Sequence, residues 1–187
     1  MKTTERREYS IMFIVSRCLL GFDCKYNGGN NKNDDVMEFC RTHDYVTICP
    51  ETAAGLPVPR EPAEIVPVDD EYFKVLDRAG NDLTRAFDEG SELSLNSVLV
   101  EQGSRKHGTC KIEGAILKAN SPSCGAGAIY DGTFSGKLTG GNGMFTDKLI
   151  DACLEERANP DIKQENKVFA DDFKICDENH FMKVFGK

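Results

Sequence analysis

Apolar residues in this chain fall into short runs, and three of these runs lead to a cysteine. The runs occupy residues 10–18, 45–49 and 114–125, and the last one closes in a Ser-Pro-Ser-Cys-Gly turn. Short apolar runs bounded by turn residues are typical of buried strands. Because parallel sheets gather functional groups at the carboxyl ends of their strands, the pattern predicts that Cys18, Cys49 and Cys124 lie close together.

Helical patterns separate the predicted strands. Asn33 is predicted to cap a helix over residues 34–42, and Thr84 is predicted to cap a longer helix over about 84–102. A third helix is predicted at about 144–157, before an Asn-Pro pair. The alternation of strands and helices predicts an α/β fold, a single Rossmann-like domain with a mainly parallel sheet flanked by helices.

Shorter patterns predict the connections. Residues 72–77 predict a strand or a short hairpin, and the apolar pair at 168–169 predicts an edge strand. The four prolines between residues 57 and 67 predict an extended, stiff loop that walls a cleft. The basic stretch 104–111, which includes His107, is interpreted as a solvated turn.

Length and charge limit the class of protein. We expect residues 1–187 to form one domain, with a core at about 10–158 and a C-terminal extension at about 159–187. The formal net charge of −8, without a basic cluster, disfavours binding to a nucleic-acid polymer. No apolar run is long enough to span a bilayer or to form a signal peptide, so we expect a cytoplasmic protein without a membrane partner. The sequence is compatible with a monomer or a homodimer.

Eight cysteines are many for a cytoplasmic protein. Disulfides are disfavoured in a reducing compartment, which leaves buried structural thiols or metal ligation. No two cysteines stand at the spacing of a zinc ribbon or of a ferredoxin run. Helical spacing predicts that Cys40 and Cys153 are core thiols, whereas Cys110 and Cys176 lie in polar, loop-like stretches and are assigned no role.

Several motifs, in one order along the chain, resemble the DUF523 family. They are Val-Ser-Arg-Cys-Leu-Leu-Gly at 15–21, Cys-Pro-Glu at 49–51 with Gly55, Leu56, Pro59, Arg60, Pro62 and Glu64, and Leu117-Lys118 with Ser-Pro-Ser-Cys-Gly at 121–125. Further matches fall within residues 80–90 and 129–136, so the resemblance covers about residues 10–153. The chain departs from the family pattern at Arg17, Lys25 and Asn27, and its tail from about residue 160 runs past the usual end.

The resemblance implies a [4Fe-4S] cluster bound by three cysteines, which here are Cys18, Cys49 and Cys124, with the fourth iron free of protein ligands. The family includes the thiouracil desulfidase, so the implied activity is removal of sulfur, as sulfide, from a thiolated nucleobase such as 2-thiouracil or from a similar small thio-compound. Water supplies the replacing oxygen, without net redox change. Thiolate is a soft ligand that suits such a cluster. Cys24 is interpreted as a free thiol, since a fourth ligand would block the open iron.

Exchange of sulfur for oxygen needs an acid or base and a group that binds the substrate. Glu51, two residues after Cys49, is the acid/base candidate, and its alternative role is to cap the following helix or loop. Ser121 is the second catalytic candidate, as a hydrogen-bond donor, nucleophile or proton relay, and its alternative role is turn formation.

Three further side chains are candidates for binding the substrate or the cluster. Ser123 is predicted to bind substrate or to hydrogen-bond a cluster sulfur. Lys118 and Arg60 are predicted to offset the negative charge of the thiolates or to bind an anionic group of the substrate. Either cation could instead pair with a surface carboxylate.

The residues alone are also compatible with two other classes of function. One is a non-catalytic, Rossmann-like module that binds a nucleotide or anion on the glycine- and asparagine-rich loop 27–33. The other is a thiol redox protein or sulfur carrier that uses Cys18, Cys24 or Cys124.

Overall fold

A computed structural model of the protein describes residues 10–69, 72–104 and 110–186. The predicted turn around His107 lies outside these residues. The strands are β1 (Ser10–Ser16), β2 (Asp44–Ile48), β3 (Ala63–Pro67), β4 (Phe73–Asp77), β5 (Cys110–Leu117), β6 (Ala128–Tyr130), β7 (Leu138–Gly140) and β8 (Phe169–Asp177). The helices are α1 (Asp34–Thr42), α2 (Pro50–Ala53), α3 (Thr84–Gly103), α4 (Met144–Ala158) and α5 (Phe181–Phe185).

The main sheet is parallel and has the strand order β2-β1-β5-β8. Ser16, the last residue of β1, pairs with Ile48 of β2, and Val15 pairs with Ile116 of β5. The carboxyl ends of these three strands therefore meet at one edge of the sheet. The predicted α/β fold with a mainly parallel sheet is confirmed.

Side chains of β1 alternate between two faces of the sheet, and each face has its own buried core. Met12 and Ile14 pack in one cluster with residues of α3 and α4. Phe13 and Val15 pack in the other cluster with residues of α1 and α5. Because a parallel sheet of this kind is buried on both faces, its central strands are apolar at almost every position.

The starts of α1 and α3 test the two helix caps that the sequence predicts. The Asn33 side chain accepts a hydrogen bond from the amide of Val36 at 3.0 Å, so the predicted cap of α1 is confirmed. The prediction of Thr84 as a cap is wrong, because Thr84 is the first residue of α3. The Asp82 carboxylate accepts the Thr84 amide at 3.0 Å, while the Thr84 hydroxyl accepts the amide of Val75 at 2.9 Å.

The proline-rich stretch contains a strand that the sequence did not predict. β3 pairs with β4 in an antiparallel hairpin, so the strand expected at residues 72–77 is confirmed as β4, and its hairpin partner precedes it in the chain. Pro62 precedes β3 and Pro67 is its last residue, so the amides between them stay available for pairing. The stiff loop therefore ends earlier than predicted, and Pro62 and Glu64 line a cavity described below.

Two cysteines assigned to loop-like stretches lie in strands of the main sheet. Cys110 begins β5 and is 1 % exposed, and Cys176 lies in β8 and is 6 % exposed. The edge strand predicted at residues 168–169 is confirmed as β8, but the polar residues that follow hid its extension to Asp177, since an edge strand exposes part of its length. Cys153 is buried as predicted, and Cys40 is half-buried against a core cluster.

None of the helices within residues 10–69, 72–104 and 110–186 combines the length and the apolarity needed to cross a membrane.

Candidate active site

The three cysteines predicted to converge come from three separate strand ends. Cys18 lies in the single 3₁₀ turn that follows β1, and Cys49 follows β2 as the residue that precedes α2. Cys124 lies in the turn after β5. All three line one cavity of about 480 Å³ at the carboxyl edge of the sheet. Parallel pairing of the strands thus brings together thiols that are far apart in sequence.

A fourth thiol, Cys24, lines the same cavity and is 7 % exposed. Its side chain hydrogen-bonds to those of both Cys18 and Cys49. These interactions raise the pKa of the Cys24 thiol, whose single S–H hydrogen can be donated to only one of the two neighbours at a time. Cys24 is therefore a protonated neighbour of the converging thiols.

Hydrogen bonds lower the pKa of two of the converging thiols. The hydrogen bond with Cys24 is the largest cause of the lowered pKa of Cys18, and a second bond comes from the Asn31 side chain, 3.6 Å from the sulfur. The hydrogen bonds with Cys24 and with Thr52 lower the pKa of Cys49 to about 6. Burial opposes both shifts, yet the hydrogen bonds dominate.

Cys124 differs from the other two thiols. Burial raises its pKa, and the hydrogen bond with the Ser16 side chain only partly offsets this effect. Nearby negative charge on Cys18, Cys49 and Glu51 raises it further. In the protein without metal, Cys124 is therefore harder to deprotonate than Cys18 and Cys49.

Glu51 lies at the cavity wall in an ion pair with Arg60. Arg60 Nε donates to Glu51 Oε2 at 2.7 Å, and Arg60 Nη2 contacts the same oxygen. The other oxygen, Oε1, accepts a hydrogen bond from Ser123 Oγ at 3.0 Å. The side chains are 16 % and 8 % exposed for Glu51 and Arg60, so the pair is largely screened from water. Its carboxylate is thus fixed from both sides.

Ser121 organises the turn that carries Cys124. Its hydroxyl oxygen accepts the amides of Ser123 at 3.1 Å and of Cys124 at 3.2 Å, as expected for turn formation. The side chain lines the cavity, and its O–H hydrogen has no acceptor among the residues that the structure describes. Ser121 can therefore donate a hydrogen bond to a molecule in the cavity. Ser123 is 1 % exposed and does not line the cavity.

Lys118 lines the cavity but already has protein partners. Its ammonium nitrogen lies 2.5 Å from Glu178 Oε1 and 3.0 Å from the carbonyl oxygen of Ala119. Glu178 follows β8 and is not part of any sequence motif. Sequence reasoning missed Glu178, and also missed Asn31, because nothing in the local pattern relates either residue to the cysteines.

Two arginines that line the cavity lie against aromatic rings. The Arg17 guanidinium lies 4.6 Å from the centre of the Phe22 ring, and that of Arg78 lies 5.9 Å from the Phe134 ring. Both arginines line the cavity.

The loop 27–33 offers little to an anion, because its amides are used within the protein. The amide of Gly29 donates to the Asn27 side chain at 3.1 Å, that of Asn31 donates to the Cys18 carbonyl at 3.0 Å, and that of Asn33 donates to the Leu19 carbonyl at 2.9 Å. The alternative of an anion-binding module on this loop loses its main support.

Comparison with known proteins gives a consistent result. A family model described as 2-thiouracil desulfurase matches residues 13–159. The "Uncharacterized protein YbbK" of Bacillus subtilis (strain 168) is 35 % identical over 162 residues, which cover 84 % of this chain and 97 % of that protein.

A solved structure is also similar. The [4Fe-4S]-dependent thiouracil desulfidase TudS has 31 % sequence identity and a TM-score of 0.67, and the match covers 94 % of this chain and 95 % of that one. The resemblance to the DUF523 family is confirmed by these matches. The chain belongs to the 2-thiouracil desulfurase family.

Proposed function

We propose that this protein is a [4Fe-4S]-dependent desulfidase that removes sulfur from a thiolated nucleobase such as 2-thiouracil, or from a similar small thio-compound. The net reaction converts C=S and water into C=O and hydrogen sulfide, so no electrons are gained or lost. The observation that supports this proposal most strongly is the convergence of Cys18, Cys49 and Cys124 on one cavity. The family match and the similarity to TudS support the same conclusion.

The donor set fits the proposed cluster. Cys18, Cys49 and Cys124 would hold it, because thiolates are the ligands that suit iron–sulfur chemistry. Among the described residues, no group of three or more His, Cys, Asp or Glu side chains is arranged to hold a single metal ion.

A bound cluster would supply a Lewis-acidic iron without a protein ligand, to which the soft thiocarbonyl sulfur of the substrate binds. Cys24 stays a free thiol in this scheme. Its hydrogen bonds with Cys18 and Cys49 support a role beside the ligands. The lowered pKa of Cys49 means that little proton release is needed there when metal binds near neutral pH.

Glu51 and Ser121 carry the proposed acid–base and substrate-binding work. Glu51 is an ion-paired carboxylate at the cavity wall, and we assign to it the proton taken from the attacking water. Ser121 has a hydroxyl hydrogen directed to no described acceptor, and we assign to it a hydrogen bond to the substrate or to the departing sulfur. The two groups follow different strands, β2 and β5, and both line the cavity.

In this scheme the other three predicted site residues, Ser123, Arg60 and Lys118, act mainly by positioning or charging other groups. Ser123 donates to Glu51 and so holds the base, rather than touching substrate directly. Arg60 fixes the same carboxylate, and Lys118 adds positive charge beside the thiolates. Both cations line the cavity, where they offset the charge of three thiolates.

The test of this function is anaerobic incubation of the iron-loaded protein with 2-thiouracil, followed by measurement of uracil and sulfide in equal amounts. Loss of product in the Glu51→Gln variant, at unchanged iron content, is the expected result for the assigned base. Iron-loaded protein that releases no sulfide from 2-thiouracil or from 4-thiouracil contradicts the assigned substrate class.

A thiol redox protein is the competing function, and the low pKa of Cys49 is the observation that favours it. Such a protein would turn over dithiol or disulfide substrates without iron. Metal-free protein that reduces an aromatic disulfide at a rate unchanged by iron loading would support this second candidate.

A further inference from the structure

One carboxylate links the C-terminal segment to the cavity. Glu178 directly follows β8, and its Oε1 lies 2.5 Å from Lys118 Nζ. Its Oε2 accepts the amide of Ala119 at 2.7 Å. The side chains of Glu178 and Lys118 are 11 % and 25 % exposed, so the pair is shielded from most of the solvent. Glu178 lies beyond residues 13–159, the part of the chain that the family model matches.

Lys118 connects this pair to the thiols. Its backbone amide donates to the Ser16 hydroxyl at 2.9 Å, and Ser16 in turn hydrogen-bonds to the Cys124 thiol. Its side chain lines the cavity. The pKa of Cys18 is lowered mainly by the hydrogen bonds with Cys24 and Asn31, and Lys118 contributes through its positive charge. The ammonium group therefore acts on the cavity at a distance, through its field.

Glu178 determines where this charge lies. An ammonium group on four methylenes is flexible, and its three donors seek nearby acceptors. Here one donor goes to Glu178 and another to the Ala119 carbonyl, which holds the group on the wall of the cavity. Without the carboxylate, the ammonium would be free to turn toward the thiolates.

We propose that Glu178 is a positioning residue of the cluster site, which fixes the Lys118 ammonium on the cavity wall and anchors the strand end that leads to Cys124. This inference rests on the proposed function, because it requires a cluster in the cavity. It gives the C-terminal segment a role in setting the reduction potential of the cluster.

The reduction potential of the cluster measures this role independently of desulfidase activity. One-electron reduction adds a negative charge, so nearby positive charge favours the reduced form. Replacing Glu178 with Gln removes a negative charge and releases Lys118, and both changes raise the potential. We expect a shift of about threefold to tenfold in the one-electron reduction equilibrium, where tenfold corresponds to 59 mV. Lys118→Met is expected to lower the potential.

The experiment is a redox titration, followed by electron paramagnetic resonance, of iron-loaded wild type, Glu178→Gln, Lys118→Met and the double variant. Glu165→Gln is the matched control, since Glu165 is an exposed carboxylate of the same C-terminal segment. The expected result is a raised potential in Glu178→Gln, an unchanged one in Glu165→Gln, and a Glu178→Gln shift at least halved when Lys118 is already Met.

Two results would overturn the inference. One is a Glu178→Gln potential equal to that of wild type, and the other is an equal shift with and without Lys118, which would leave no role for the lysine. If Glu178→Gln does not fold, a Lys118→Met variant with the same potential as wild type would also overturn the inference. Failure of the wild-type protein to bind iron would instead contradict the proposed function, so the two claims fail by different observations.

Discussion

Arg60 holds Glu51 through two donors on one carboxylate oxygen, with Nε 2.7 Å from Oε2. The same guanidinium donates through Nη2 to the Cys24 carbonyl at 3.1 Å and through Nη1 to the Pro57 carbonyl at 3.1 Å. One side chain thus ties the proline-rich loop, the proposed base and the backbone of the Cys24 loop together.

Replacing Arg60 with Gln is expected to destabilise the protein by about 3 kcal/mol, because it leaves a largely buried carboxylate without its cation. Activity should fall further than iron content, since Glu51 loses its position while the cysteines remain. Chemical denaturation and assays of matched iron-loaded samples measure the two effects. Arg85→Gln is the control, because Arg85 pairs with Glu89 on an exposed helix face and its loss should cost less than about 0.5 kcal/mol.

Ser121→Ala is expected to lower kcat about 10²-fold while most of the iron is retained. The substitution removes the hydroxyl hydrogen that faces the cavity and also the acceptor of two turn amides. Iron content therefore reports on the turn and turnover reports on the hydroxyl. Ser97→Ala, on α3, serves as the control with wild-type values for both. Equal turnover in Ser121→Ala and wild type would contradict the assigned role.

The thiolate character of Cys49 predicts a pH dependence in the metal-free protein. Its pKa is lowered to about 6, so alkylation by iodoacetamide should rise between about pH 5 and pH 7 and then level off. Burial raises the pKa of Cys40 to about 11, so its alkylation should still be rising at pH 9. Peptide mass spectrometry of protein alkylated at a series of pH values separates the two sites.

The lowered pKa of Cys49 also determines how the stability of the metal-free protein changes with pH. A thiol whose folded pKa lies below its unfolded value of 9.0 stabilises the folded state when it is ionised. Its contribution is complete above about pH 9 and is lost as the pH falls through about 6. The unfolding free energy of the metal-free protein should therefore decrease from pH 9 to pH 6, and a Cys49→Ala variant should show a smaller decrease.

A larger residue in place of Gly90 on α3 is expected to disturb the packing next to the candidate site. A Cβ added there would overlap the Pro50 carbonyl oxygen at the start of α2, between Cys49 and Glu51. Gly90→Ala should destabilise the protein by about 1–3 kcal/mol and reduce its iron content, because α2 must shift. Gly103→Ala is the matched control, since none of the residues that the structure describes lies within 4 Å of the added carbon there. Thermal unfolding and iron analysis check both variants.

Much of this architecture follows from local sequence signals. The apolar runs predict the strands, and Asn33 predicts the start of α1, because strand burial and helix capping are local effects. The expected proximity of Cys18, Cys49 and Cys124 follows from one additional rule about strand ends in parallel sheets.

Other features depend on contacts that no local pattern encodes. Cys110 and Cys176 lie next to polar residues, and their burial becomes visible only when β5 pairs with β8. The partners of Lys118 and Arg60 come from distant parts of the chain or from a loop whose path the sequence does not define. Glu178 was missed for this reason, since it is 60 residues from Lys118.

The most direct test of the central claim is the iron content per chain after anaerobic reconstitution of wild type and single Cys→Ala variants. The account predicts about four irons per chain in wild type and in the Cys40→Ala control. It predicts nearly the same in Cys24→Ala, and a large loss in Cys18→Ala, Cys49→Ala and Cys124→Ala. Wild-type protein that binds no iron, or full iron content in any of the last three variants, would contradict it.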